Sequence, residues 1–153
     1  PIIDSKAETN MVKEFFPEAE IVVVNAEEHD RVMALVLSLP HFMNVVFASV
    51  IGGENLKTLK SLSGTTFMLQ LTLAESIMTE DPSLQATIQM DNKYVSRYLD
   101  IFLSKAETIK KWIVDKDEEK FTGFCDHVKN LLSKDVDFSE AYKKMYEVLE
   151  ILE

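Results

Sequence analysis

Apolar positions along this chain recur mostly at helical spacing. Met11, Val12, Phe15 and Phe16 predict a short amphipathic helix over 8–19, stopped by Pro17. Ile21-Val22-Val23-Val24 then breaks that rhythm: a continuous β-branched run is the pattern of a buried parallel strand. One such strand has no partner in a chain that otherwise reads as helical. It either pairs across a dimer or belongs to a sheet that lies elsewhere. Asn25 is placed to cap the next helix, with Glu28 as the reciprocal member of a capping box. Val32, Leu35, Val36 and Leu39 form its stripe, Pro40 kinks it, and His41 to Ile51 continues it to Gly52-Gly53.

Residues 54–64 are polar and predict a short helix and a loop ending at Gly64. The following helix, from Thr65 or Thr66 to about Thr79, carries Phe67, Met68, Leu69, Leu71, Leu73, Ala74, Ile77 and Met78 on nearly every side. It therefore reads as central and buried. Asp81-Pro82 marks a helix start. Ile88, Val95, Phe102 and Ile109 recur every seven residues, with Leu99, Ala106 and Ile113 as a second row, and predict one helix to about Lys116. Such a helix is ~50 Å long, more than a domain of this size spans, so part of its face is expected to meet a second subunit. A further helix is expected over 118–133. Asp137 and Glu140 form a capping box for a last one, striped by Phe138, Ala141, Tyr142, Met145, Val148, Leu149 and Leu152.

Composition fits this mainly α reading. Of 153 residues, 46% are apolar and 27% charged, with only 4 Gly and 4 Pro, which excludes disorder and low complexity. The length suits one domain and cannot hold a complete dinucleotide-binding domain beside a sizeable helical one. The net charge is −10, and only Arg31 and Arg97 are arginines, so neither nucleic acid nor an anionic membrane surface is expected as a partner. No apolar run of ~18 residues is read, so no spanning segment is expected. The N-terminus has no signal-peptide shape. The single Cys125, among Phe121, Phe124 and Val128, reads as a small buried hydrophobe, and its lack of a partner suits a reducing, cytoplasmic compartment.

Candidate chemistry is sparse. There is no Gly-x-Gly-x-x-Gly and no Walker loop, and Gly52-Gly53 alone does not bind phosphate. His29, His41 and His127 have no metal-ligand spacing, so no metal is expected. His29 lies in the first turn of a helix, where the helix dipole and the neighbouring Glu27 and Asp30 act on it in opposite senses. His41 stands at the proline kink. There it either faces a cavity or is a core histidine bonded to a freed carbonyl.

The stretch Val23-Val24-Asn25-Ala26-Glu27-Glu28-His29-Asp30-Arg31, followed by Leu39-Pro40-His41, resembles the junction between the two domains of prephenate dehydrogenases. Gly64-Thr65-Thr66-Phe67, Gln70-Leu71-Thr72-Leu73, Asp81-Pro82 and Asn92 are similar to that family's next helices. The resemblance covers roughly residues 10–115. It implies that 1–25, with its helix and strand, is the tail of a Rossmann-type nucleotide-binding domain, and that 26–153 is an all-helical dimerisation and substrate-cleft domain. The family oxidises prephenate with NAD or NADP, losing carbon dioxide to give 4-hydroxyphenylpyruvate for tyrosine biosynthesis. Its catalytic histidine belongs to the nucleotide domain. No catalytic residue and no cofactor site are therefore expected in this chain, which should form a homodimer without transferring hydride alone. His41, with Thr66 and Ser76, is implied in contact with prephenate or a related small molecule; His29 and Asp30 are implied as structural at the junction. The sequence departs from the family where a carboxylate-binding arginine is expected: Ser76 stands there, and Met68 at a second such position. Lys57, Lys60 and Lys93 are the available replacement cations. A non-catalytic helical dimerisation or regulatory module is the alternative. A stand-alone helical enzyme of mutase type ranks last, for want of arginines.

Overall fold

The computed structural model describes the backbone of residues 5–152 and the side chains of 6–150; among these residues every regular element is helical. Helix α1 is Ser5–Phe15. Helix α2 runs unbroken over Ala26–Ile51. Helices α3, Leu56–Leu62, and α4, Thr65–Met78, follow. Next come α5, Pro82–Met90, α6, Val95–Asp115, and α7, Glu118–Leu132. A 3-10 turn at Phe138–Glu140 leads into α8, Ala141–Leu152.

Local capping sets several of these limits. The Asn25 side chain accepts the Glu28 N–H at 2.8 Å, and Asn55 accepts that of Thr58 at 3.1 Å. Asp81 accepts the Ser83 N–H at 2.7 Å, with Pro82 in the first turn behind it. Helix α6 ends at Lys116, whose φ of 54° is left-handed.

The expected bend at Pro40 takes the form of a π turn over Ala34–Ser38, closed by the Leu39 N–H donating to the Ala34 carbonyl. Pro40 has no N–H and crowds the carbonyl four residues back; one wide turn just before it relieves both without ending the helix. The inner face of α2 buries Asn44 against α4, which contributes Leu71, Ala74 and Ile77, while Ala34 and Ser38 in the π turn pack toward α5 and α6, where Val95 completes the core. Phe42 meets Phe102 edge-on at 6.2 Å, Phe47 meets Phe67 at 6.1 Å, and Trp112 packs on Phe124 at 5.5 Å.

Several sequence expectations need correction. Residues 20–25 form no strand and no regular element, with Val22 70% exposed, because the described chain offers no ladder to join. The single long helix is two, α5 and α6. At the break, Asn92 accepts the Tyr94 N–H at 2.9 Å and donates to the Asp30 carbonyl at 2.6 Å, and this local competition halts the helix. Helix α4 is not buried all round, since Leu73 and Met78 are exposed. Cys125 is exposed as well. Asp137 does not cap α8; its carboxylate instead pairs with Lys144 at 2.9 Å. Finally, α2 is long and apolar enough to cross a membrane, by length and composition, with a mean hydropathy of 1.9. The residues that interrupt its apolar run (Ser38, Pro40, His41, Asn44 and Ser49) are uncharged and lower hydropathy little.

The chain exposes 12063 Å². A compact monomer of this mass exposes roughly 7,900 Å². The helices are thus splayed, with wide apolar faces left uncovered.

Candidate functional site

A file of polar side chains runs along the inner face of α2 at three-residue spacing: Ser38, His41 and Asn44. Ser38 donates from its hydroxyl to the Ile88 carbonyl at 2.9 Å, and its own carbonyl accepts from the Gln89 amide at 2.9 Å. Asn44 donates to the Pro40 carbonyl at 2.9 Å and accepts from the Gln70 amide at 2.7 Å. Gln85 donates to the Ile77 carbonyl, tying α5 to the end of α4. Buried polar groups hold their places when they are paired in this way.

His41, between them, is not fully paired. Its ring is 13% exposed, and Nδ1 lies 3.8 Å from the Oε2 of Glu80 in the α4–α5 connection. That is too long for a hydrogen bond but close enough for charge attraction once the ring is protonated. Nδ1 of His41, Oε2 of Glu80 and Oε1 of Gln89 are all buried without a hydrogen-bond partner. The arrangement therefore offers an imidazole and a carboxylate with free hydrogen-bonding capacity beside a rigid helix kink.

The other residues expected at a substrate site do not join this group. Thr66 and Ser76 are exposed, and their ten-position separation on α4 puts them roughly 15 Å apart along its axis. The Ser76 hydroxyl donates to the Leu73 carbonyl at 2.8 Å. Met68 is half-buried and lines a separate cleft of about 360 Å³ with Gly64, Tyr146 and Leu149. Lys60 pairs with Glu75 at 3.2 Å, and Lys57 is exposed. Lys93 pairs with Glu27 at 3.6 Å and lies over the Tyr94 ring.

At the start of α2, His29 Nδ1 lies 3.2 Å from the carboxylate of Asp30, whose carbonyl is held by Asn92. His29 also lines an open cleft of about 670 Å³ with Val23, Val24, Asn25 and Ala26. Glu27 accepts the Tyr94 hydroxyl at 2.6 Å. That hydrogen bond, and then the Lys93 charge, hold the Glu27 carboxyl below its ordinary value. The same bond is the chief cause of the raised Tyr94 phenol. Among the described residues no three His, Cys, Asp or Glu side chains gather in a metal-binding arrangement.

Sequence reasoning singled out His41 but missed Glu80, Gln70 and Gln89. The Ser38-His41-Asn44 spacing in an uncharged run was the available signal for a polar face; the partners come from tertiary packing.

Taken together, these features define a helical module built on a kinked helix, with a nearly buried histidine facing an acid. The model of the prephenate dehydrogenase dimerization domain matches residues 25–127, more than half of the chain, and the chain belongs to that family. Over 105 residues it is 27% identical to a protein of Methanocaldococcus jannaschii named "Probable arogenate/prephenate dehydrogenase". The alignment covers 67% of this chain but 24% of that relative. No solved structure matches the chain. The family match includes His29, Asp30, His41, Thr66, Ser76 and Glu80, while α8 lies outside it.

Proposed function

We propose that this chain is the helical portion of a prephenate dehydrogenase, supplying a dimer interface and part of the substrate cleft. In the intact enzyme, NAD or NADP binds a nucleotide domain, for which residues 1–25 are the connecting tail, and hydride transfer does not occur on this chain alone. His41 is the substrate-contacting residue, and the carrying observation is its nearly buried ring with an unpartnered nitrogen inside the family-matched region. Ser76 and Thr66 are outlying contacts, and His29 and Asp30 hold the junction. The setting is cytoplasmic tyrosine biosynthesis.

Titration calorimetry of the chain with prephenate, 4-hydroxyphenylpyruvate and tyrosine tests this. Prephenate should bind, and His41→Ala should weaken it by about tenfold or more, the value of a hydrogen bond to a charged group. Equal binding by the variant would remove His41 from the site.

A second reading, a non-catalytic dimerisation or regulatory module, is favoured by one observation. Glu80 sets a carboxylate 3.8 Å from His41, where it opposes a dianionic substrate. Absence of heat with a folded dimer would favour that reading.

A further inference from the structure

Away from its buried face, α2 carries six apolar residues spaced alternately four and three apart in sequence, Val32, Val36, Leu39, Met43, Val46 and Val50, with the π turn over Ala34–Ser38 offsetting Val32 from the rest. Five of them are exposed, and Leu39 among them is half-buried. Val36 is 61% exposed, Met43 41% and Val50 70%. From residue 32 to residue 53 there is no Asp, Glu, Lys or Arg, in a chain that is 27% charged with a net charge of −10. This is where two such chains can meet without bringing carboxylates together. Helix periodicity alone would have served a core contact here, but the core lies on the other side, at Ala34, Ser38 and Asn44.

We propose that the occupant of this seam is the same seam of a second copy, packed antiparallel about a two-fold axis near Met43. The inference rests on the dimer reading above and adds the surface and the direction. Direction follows from the flanking charges. The nearest charged residues are Arg31 before the seam and Glu54 after it, both exposed. Their midpoint falls beside Met43, so antiparallel pairing brings Arg31 of one copy toward the partner's Glu54, whereas parallel pairing sets like charges together. Antiparallel pairing also opposes the two helix dipoles. Surface is available in excess: the chain exposes roughly 4,000 Å² more than a compact monomer of its mass. A standard interface takes about 800 Å² from each partner.

Disulfide trapping in a Cys125→Ser background reads both surface and direction. Antiparallel pairing sets position 36 against position 50 of the partner. An equimolar mixture of Val36→Cys and Val50→Cys chains should therefore give the mixed disulfide dimer. Val36→Cys alone should give none, because two copies of position 36 lie roughly 21 Å apart along the helix axis, far beyond disulfide reach. A second arm, Val36→Glu with Val50→Glu, should raise the dimer dissociation constant more than about 100-fold while helical circular dichroism persists. Self-linking by Val36→Cys overturns the direction. A wild-type dimer with no mixed disulfide, unchanged by the two glutamates, overturns the surface but leaves the dimer reading standing. A wild-type monomer overturns both. So does a wild-type chain that binds phosphatidylcholine vesicles and does not dimerise.

Discussion

Asn44 is the buried amide that links the kinked helix α2 to α4. It donates to the Pro40 carbonyl and accepts from Gln70 at 2.7 Å, and it is 7% exposed. Asn44→Ala removes both bonds, leaves the Gln70 amide unpaired and opens a small void. Two neutral hydrogen bonds contribute about 1 kcal/mol each, and the orphaned donor adds its own desolvation, so the expected loss is about 2–4 kcal/mol. Gln70→Ala removes one bond and leaves one lone pair of Asn44 unfilled, for about 1–2 kcal/mol. The two losses overlap in the shared bond, and a double-mutant cycle should return a coupling of about 0.5–1.5 kcal/mol. The assay is urea unfolding followed at 222 nm with all four proteins at one protomer concentration, because a dimer's apparent stability depends on concentration. Strictly additive losses, or an Asn44→Ala loss below about 0.5 kcal/mol, would refute the view that this pair ties the helices together.

Other consequences follow from single residues. Lys116 holds a left-handed conformation that favours glycine, so Lys116→Gly should stabilise the chain by about 1 kcal/mol in the same urea assay. Glu27 has its folded pKa below its ordinary value, so its contribution is present above the unfolded pKa and is lost as pH falls through the folded one. Tyr94→Phe should therefore reduce the acid sensitivity of unfolding below about pH 4.5, with nuclear magnetic resonance titration of Glu27 returning toward 4.5. Exposed Cys125 should react with a thiol reagent in the native protein without denaturant; a masked thiol would contradict its placement.

Much of the fold was legible where the signal is local. Asn25 and Asp81 cap as their positions predict, because a cap is decided by a side chain and an N–H two or three residues away. Expectations failed where a second segment decides. The Ile21–Val24 run has strand propensity, but a strand needs a ladder that no described segment provides. The heptad row through Ile88, Val95 and Phe102 passed unbroken over Asn92, whose side chain reaches α2 and ends the helix. At the site, His41 was visible as an odd polar residue at a kink, whereas Glu80, thirty-nine positions later, is brought to it only by the turn between α4 and α5.

Light scattering during size-exclusion chromatography tests the central claim, that this family's helical domain makes a dimer from the uncovered faces of this chain. A dimer should give about 35 kDa at micromolar concentration, twice the 17.5 kDa of one chain. A single species at 17.5 kDa would contradict it.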